Sequence, residues 1–375
     1  MKKSISAPSS IANAAVIAEE KKLKQQRLLS PRLIIIEIKI QPKDAADELT
    51  FKKVIAKMYN IEKSKSNIDI FTEYAKRFYK ELDKEEFETL KSSNKKGISV
   101  KTSRALIKHD ERISLTEDET KDKLIYHPEK NILEGIIIGG MYGRKRNARQ
   151  LKHKSKIKDV DRDDVITDDY YSLLYIPMDN DTGYLLLQYY PDITIKKELT
   201  EFIRRTLKRK GLPYNIAFSY YYDEEFNKSF ENDSVLDHIT LSSKFLEGDD
   251  IGNNDVEVES ENKGIKLKIE VSTINDPVST LNISKFMHKI GDFMGYRKAF
   301  KDFNYKTATV KNANSQTTFE IDDNLKIKPI IYLFEKISVS EDGIPNFTEL
   351  KQFCFSKLED IKKETLQGYG NVAEV

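Results

Sequence analysis

Eight lysines and arginines fall between Arg144 and Lys158, with one histidine and no acid among them. They are Arg144, Lys145, Arg146, Arg149, Lys152, Lys154, Lys156 and Lys158. Cations at this density neutralise phosphates and release counterions, which gives sequence-independent affinity with a steep salt dependence. Tyr142, just ahead of the run, offers a ring face for base stacking, and Arg144 or Arg146 can fork onto phosphate or guanine. A second basic group, Arg204, Arg205, Lys208 and Arg209, would lengthen the track if the fold sets it alongside. The bland reading of such a run is a solvated loop. The sign also inverts at once: Asp159, Asp161, Asp163, Asp164, Asp168 and Asp169 follow against Arg162 alone, and these acids can fold back and cancel the cations.

Other groupings carry less. Glu37-Ile38-Lys39 has the E-x-K form of a metal-dependent nuclease core, but no strand upstream supplies the partner aspartate. Asp179 and Asp181 resemble the start of a calcium loop, yet Gly183 comes one residue early and the twelfth position is Tyr190. The five histidines show no metal-ligand spacing. Asp237-His238 near Ser242 and Ser243 has the residue types of a catalytic triad, but strand neighbours are expected to face opposite ways. Gly139, Gly140 and Gly143 match neither a P-loop nor a dinucleotide fingerprint, and instead point to positive φ or a bulge at a strand end. The paired tyrosines at 170–171, 189–190 and 220–222 are expected to straddle sheets. Cys354 is expected to be inert on the buried side of the last helix. No cofactor and no metal site is expected.

The elements that must position these residues follow from periodicity. Arg32–Ile40 alternates as a strand. Helices are expected over 44–59 and 67–91, the second with Ile70, Phe71, Tyr74, Phe78 and Leu82 inward. Leu124–Tyr126 with Ile132–Met141, and Ser172–Pro177 with Gly183–Tyr190, read as two hairpins, the second apolar on both faces and therefore central. Residues 194–210 form the clearest helix, stopped by Gly211. Further strands are expected at Tyr214–Tyr222, Leu236–Ser242 and 264–274, and three more at Arg297–Val310, Thr317–Ile321 and Lys328–Ile337. Helices are also expected over 1–31, ending before Pro31, and over 283–294 with Ile283, Phe286, Met287 and Ile290 inward, and a last helix capped by Asn346 buries Leu350, Phe353, Leu358 and Ile361. Residues 92–121 give no assignment.

Composition bounds the class. With 375 residues, two or three domains are expected. Apolar residues are 39% and charged residues 33%, so the chain is globular but highly charged. The net charge of +2 is too small to name a partner, so the argument rests on patches. A single cysteine excludes a disulfide framework within the chain and fits a reducing, cytoplasmic setting. No apolar run is long enough to span a membrane, and Ile11–Ala18 is too short and interrupted for a secretory signal.

Two stretches carry a resemblance. GGMYGRKRN, followed by YSLLYIPMDNDTGYLLLQYY, resembles a group of uncharacterised bacterial proteins with a G-G-x-Y-G-x-x-R stretch and an apolar hairpin, of the kind found in phage-defence loci. It covers about residues 130–245. It implies a host-defence context and carries over no catalytic residue.

The expected fold is α+β, with mixed, mostly antiparallel sheets and helices packed on one side. The expected regions are 1–121, helical with one strand; 122–245, a central α+β domain; and 263–375, an antiparallel meander with two helices. The favoured function is a nucleic-acid-binding component of a phage-defence system that contacts the phosphate backbone of DNA or RNA. The alternatives are a metal-dependent nuclease effector and a non-catalytic scaffold docking a protein partner through the acidic 231–262 stretch.

Overall fold

The computed structural model describes residues 30–222, 235–245, 265–272, 278–279, 305–311, 316–321 and 327–370, apart from positions 45–47, 63, 85, 91–94, 102–105, 111–121, 150, 151, 154 and 192. The helix expected before Pro31, most of the acidic 231–262 stretch and the helix expected at 283–294 lie outside these residues. The chain divides into two units, Met1–Tyr221 with Ile331–Val375, and Tyr222–Ile330.

The first unit contains strands β1 (Arg32–Pro42), β2 (Glu88–Thr89), β3 (Lys96–Val100), β4 (Leu106–Lys108), β5 (Leu124–His127), β6 (Ile132–Met141), β7 (Arg146–Arg149), β8 (Ile157–Val160), β9 (Ile166–Tyr175), β10 (Thr182–Tyr189) and β11 (Tyr214–Tyr220). Its helices are α1 (Phe51–Tyr59), α2 (Asn67–Leu82), α3 (Lys196–Leu207) and α4 (Phe347–Gly370). The main sheet runs β11-β1-β10-β9-β6-β3-β2. Its pairings are antiparallel; β5 joins β6 in the same sense, and β4 lies parallel to β5. Both expected hairpins are present, β5–β6 and β9–β10, with the second in the middle of the sheet.

The mixed α+β class is observed. The helices, however, lie on both faces of the sheet. Alternation sorts the strand side chains. Leu133, Ile137, Leu174 and Leu185 line a small space with Phe78 of α2 and with Leu199 and Ile203 of α3. Leu33, Ile35, Ile132, Ile136, Tyr171, Leu173 and Leu186 point the other way and pack with Leu350, Cys354, Leu358 and Ile361 of α4. A sheet apolar on both faces has to be covered twice. Each apolar α4 side chain buried there contributes about 1.5–3 kcal/mol. Phe353, expected inside, is only partly buried against this core. Local signals set the helix ends. Thr50 and Ser66 accept backbone N–H bonds at the starts of α1 and α2. Asn346 Oδ1 accepts from the N–H groups of Thr348 and Glu349 at the start of α4.

The second unit holds β12 (Val235–Phe245), β13 (Ile265–Ser272), β14 (Val278–Ser279), β15 (Tyr305–Lys311), β16 (Gln316–Ile321) and β17 (Ile327–Lys328), in the order β13-β12-β15-β16-β17 with β14 on β12. The meander β15–β16–β17 is as expected. The strand expected over Lys328–Ile337 is divided. Pro329 cannot donate to a ladder. After it the chain is back in the first unit, where β18 (Ile331–Tyr332) pairs with β1 and Leu333–Glu335 make a single tight turn.

The two units therefore differ from the regions expected at 1–121, 122–245 and 263–375. β1 lies between β10 and β11, and α4 covers the same sheet. A strand inside a sheet needs a hydrogen-bonded neighbour on each edge, and for β1 these come from residues 182–220.

Candidate nucleic-acid interface

Part of the basic run, Arg146–Arg149 with Ile157–Val160, forms a β-ribbon. β7 and β8 form their own two-stranded antiparallel sheet, inserted between β6 and β9. Its base is pinned to the main sheet. Tyr142 N–H donates to Lys95 O at 2.9 Å, and Gly143 N–H donates to Arg162 O at 2.7 Å. Two glycines make this possible. Gly143 sits at φ +86°, and a Cβ on Gly140 would stand 1.6 Å from Ile166 O, so the strands approach there as only glycine allows. Positive φ or a bulge was expected here; Gly143 has the positive φ, and Gly140 acts through close approach.

The register assigns faces, because directly opposed residues share one. Arg146 opposes Val160 and Ala148 opposes Lys158, so one face carries Arg146 and Lys158 without an acid. Asn147 opposes Asp159 and Arg149 opposes Ile157 on the other face. There Asn147, with its amide turned to donate, bonds Asp159 Oδ1 at 2.7 Å. Every residue of β7 is exposed, and Ile157 is 50% exposed.

Of the aspartates that follow, Asp164 and Asp169 are engaged elsewhere, Asp159 bonds Asn147 on the ribbon, and Asp168 has contacts of its own. Asp164 Oδ2 accepts from Asp161 N–H at 2.8 Å in the turn that closes the ribbon's base. Asp169 pairs with Lys101 at 2.6 Å. Lys145 and Asp161 approach to 3.9 Å, but both are about three-quarters exposed, and such pairs are worth at most about 1 kcal/mol. Arg144, Arg146, Lys152, Lys156 and Lys158 are exposed and form no ion pair among the described residues. Arg149 has contacts of its own, and Lys154 lies outside the described residues. Tyr142 sits half-buried at the base of the ribbon.

The second basic group does not extend a free track. Arg204 pairs with Glu201, donates to Ile216 O and lies 4.8 Å over the Phe218 ring. Arg205 bonds Glu88 at 2.9 Å, and Lys208 bonds Asn215. Arg209 follows these beyond the end of α3. Arg205 holds α3 to β2, and Arg204 and Lys208 hold it to β11.

A buried polar cluster was not foreseen from the sequence. Glu134, 2% exposed, accepts bonds from His127 Nε2 at 3.3 Å, Tyr171 Oη at 3.2 Å and Lys351 Nζ of α4. Burial pushes its carboxyl up, but His127 and Lys351 outweigh that and hold it below the usual carboxylate range. The His109 ring stacks on His127 at 4.2 Å. The parallel register explains this contact: Lys108 opposes Tyr126, so the next residues, His109 and His127, stand side by side. Burial, then the neighbouring His127 and Lys351 charges, lower the His109 pKa. Burial, and next the Glu134 charge, push the Cys354 thiol up, which makes it a poor nucleophile. With its donors converging on one acceptor, the cluster fastens α4 to β6.

The other constellations remain small. Ser219 Oγ donates to Glu37 Oε1 at 3.3 Å in an ordinary sheet contact. Asp237 and His238 do bond, at 2.8 Å, because an irregularity between Leu236 and His238 turns them to one side. The next member is Thr309, 3.2 Å from His238 Nε2, and not Ser242 or Ser243; Thr309 is 2% exposed. Among the described residues, no group of three or more His, Cys, Asp and Glu side chains is placed to hold a metal ion. No described helix is long and apolar enough to cross a membrane.

Comparison with protein-family models, with curated proteins and with solved structures gave no match.

Proposed function

We propose that this protein binds nucleic acid through the β7–β8 ribbon, whose cations contact the phosphate backbone. The observation that carries this reading is the exposure of Arg144, Arg146, Lys152, Lys156 and Lys158 on a ribbon anchored at its base, with none of them neutralised by a described acid. Anchoring matters because a mobile loop loses more entropy on binding than a preformed ribbon does. The resemblance at GGMYGRKRN adds a context, bacterial phage defence, in which the protein contributes binding and not catalysis.

The test is a salt titration of affinity for DNA and RNA. Reversing Arg144, Arg146 and Lys158 to Glu lowers affinity and reduces the slope of log affinity against log salt by roughly 0.9 for each duplex phosphate no longer neutralised. Unchanged affinity and slope in a folded variant would refute the proposal. In cells, the same variant loses protection in a plaque assay if the defence context holds.

A further inference from the structure

We infer that the partner is B-form duplex DNA, entered through its major groove by the β7–β8 ribbon, an inference that rests on the binding reading above. Three observations carry it.

The first is shape. Two strands about 4.8 Å apart, with side chains on both faces, fit a major groove of roughly 12 Å as it stands, whereas a minor groove of roughly 6 Å would have to be widened at a cost in DNA deformation. The four residues of β7, at about 3.3 Å each, span about 13 Å, enough to cross a groove about 8.5 Å deep. A-form RNA offers a deep, narrow major groove that side chains do not read.

The second is chemistry. Binding of single strands relies on aromatic platforms for unstacked bases. No Phe, Tyr or Trp lies between Tyr142 and Tyr170, and Tyr142 is half-buried at the base. The exposed Ile157 is instead the kind of apolar contact that meets a thymine methyl.

The third is polarity along the ribbon. Lys152 and Lys156 lie toward the tip, whereas at the base Asp161, Asp163 and Asp164 stand against Arg144, Lys145 and Arg162 around the Gly143–Arg162 contact. Net positive charge therefore grows away from the base, so phosphate walls favour entry tip first.

The experiment uses the full chain and one sequence in several forms: DNA duplex, each single strand, RNA duplex, and DNA duplex with bulky glucosyl groups on the cytosines of its major groove. Fluorescence anisotropy is expected to show DNA duplex bound about tenfold tighter than single strands or RNA duplex. Glucosylation abolishes that preference, whereas a minor-groove drug leaves it intact. Equal affinity for all forms, tighter binding of single strands, or competition by the minor-groove drug alone overturns the inference while leaving backbone binding in place. No binding to any form overturns the proposed function itself. Ile157→Ser is expected to reduce the duplex preference with the salt slope unchanged; a change in slope alone would contradict the contact assigned to it.

Discussion

At the scale of single residues, the consequential side chain inside the molecule is Glu134. A buried carboxylate stays charged only if its donors stay in place. Removing one partner of a buried pair leaves an uncompensated charge at a cost of about 3–5 kcal/mol, whereas replacing both partners together costs far less. Lys351→Met should therefore lower the urea midpoint strongly with little change in slope. Adding Glu134→Gln should recover part of the loss. If Lys351→Met unfolds at the native midpoint, the bond to Glu134 does not fasten α4. Little of this cluster was legible in the sequence. Glu134 lies within an apolar run, ILEGIIIGG, where alternation marks a strand but gives no partner for its one acid. His109 falls in the stretch that resisted assignment, and only the parallel β4–β5 register brings it to His127. The eight cations of 144–158 were plain from composition. The freedom of Arg144, Arg146, Lys152, Lys156 and Lys158 was not, because it depends on where the following aspartates turn.

At the scale of elements, α4 is where the molecule is expected to respond to acid. The Glu134 carboxyl titrates below its ordinary value of about 4.5, so its contribution to stability is complete above that value and is lost as pH falls through the folded-state value. His109 also titrates below its ordinary value of about 6.5. From about pH 6.5 downward the unfolded chain takes up a proton that the folded chain resists, so stability declines there as well. The first acts at the α4–β6 contact and the second beside it, where His109 stacks on His127 and feels the Lys351 charge. Protection factors along Phe347–Thr365, which correct for the intrinsic slowing of amide exchange at lower pH, should fall as pH is lowered from 7 toward 4, ahead of those in β9 and β10. His109→Gln should remove the upper part of that dependence. Equal protection of α4 at pH 7 and pH 5 in the native protein would contradict this. The elements themselves were well marked where periodicity was long: β1, the two hairpins, α3 and α4 all lie close to their expected places. The ribbon was missed as an element because its strands, RNAR and IKDV, are exposed almost throughout and carry no apolar alternation. The strand expected across Pro329 failed for a reason already present in the sequence, the missing N–H of proline.

At the scale of the whole molecule, the first unit is a scaffold that carries an arm. Its sheet is covered by helices on both faces, so neither face is left as a large open apolar surface, and the exposed charge projects from the end of β6 and β9. The chain's division could not be read in order along the sequence, since β1 and α4, near opposite ends of the described chain, close one sheet. The central claim is that binding resides in the ribbon and folding does not. Because Gly143 and Arg162 already meet across the ribbon's base, joining them through two glycines removes the arm without separating β6 from β9. The account predicts that this shortened protein keeps its thermal midpoint to within about 2 °C and loses at least about a hundredfold in affinity for duplex DNA near 0.1 M salt. A folded, ribbonless protein that binds DNA as tightly as the native chain, with the same dependence on salt, would contradict it.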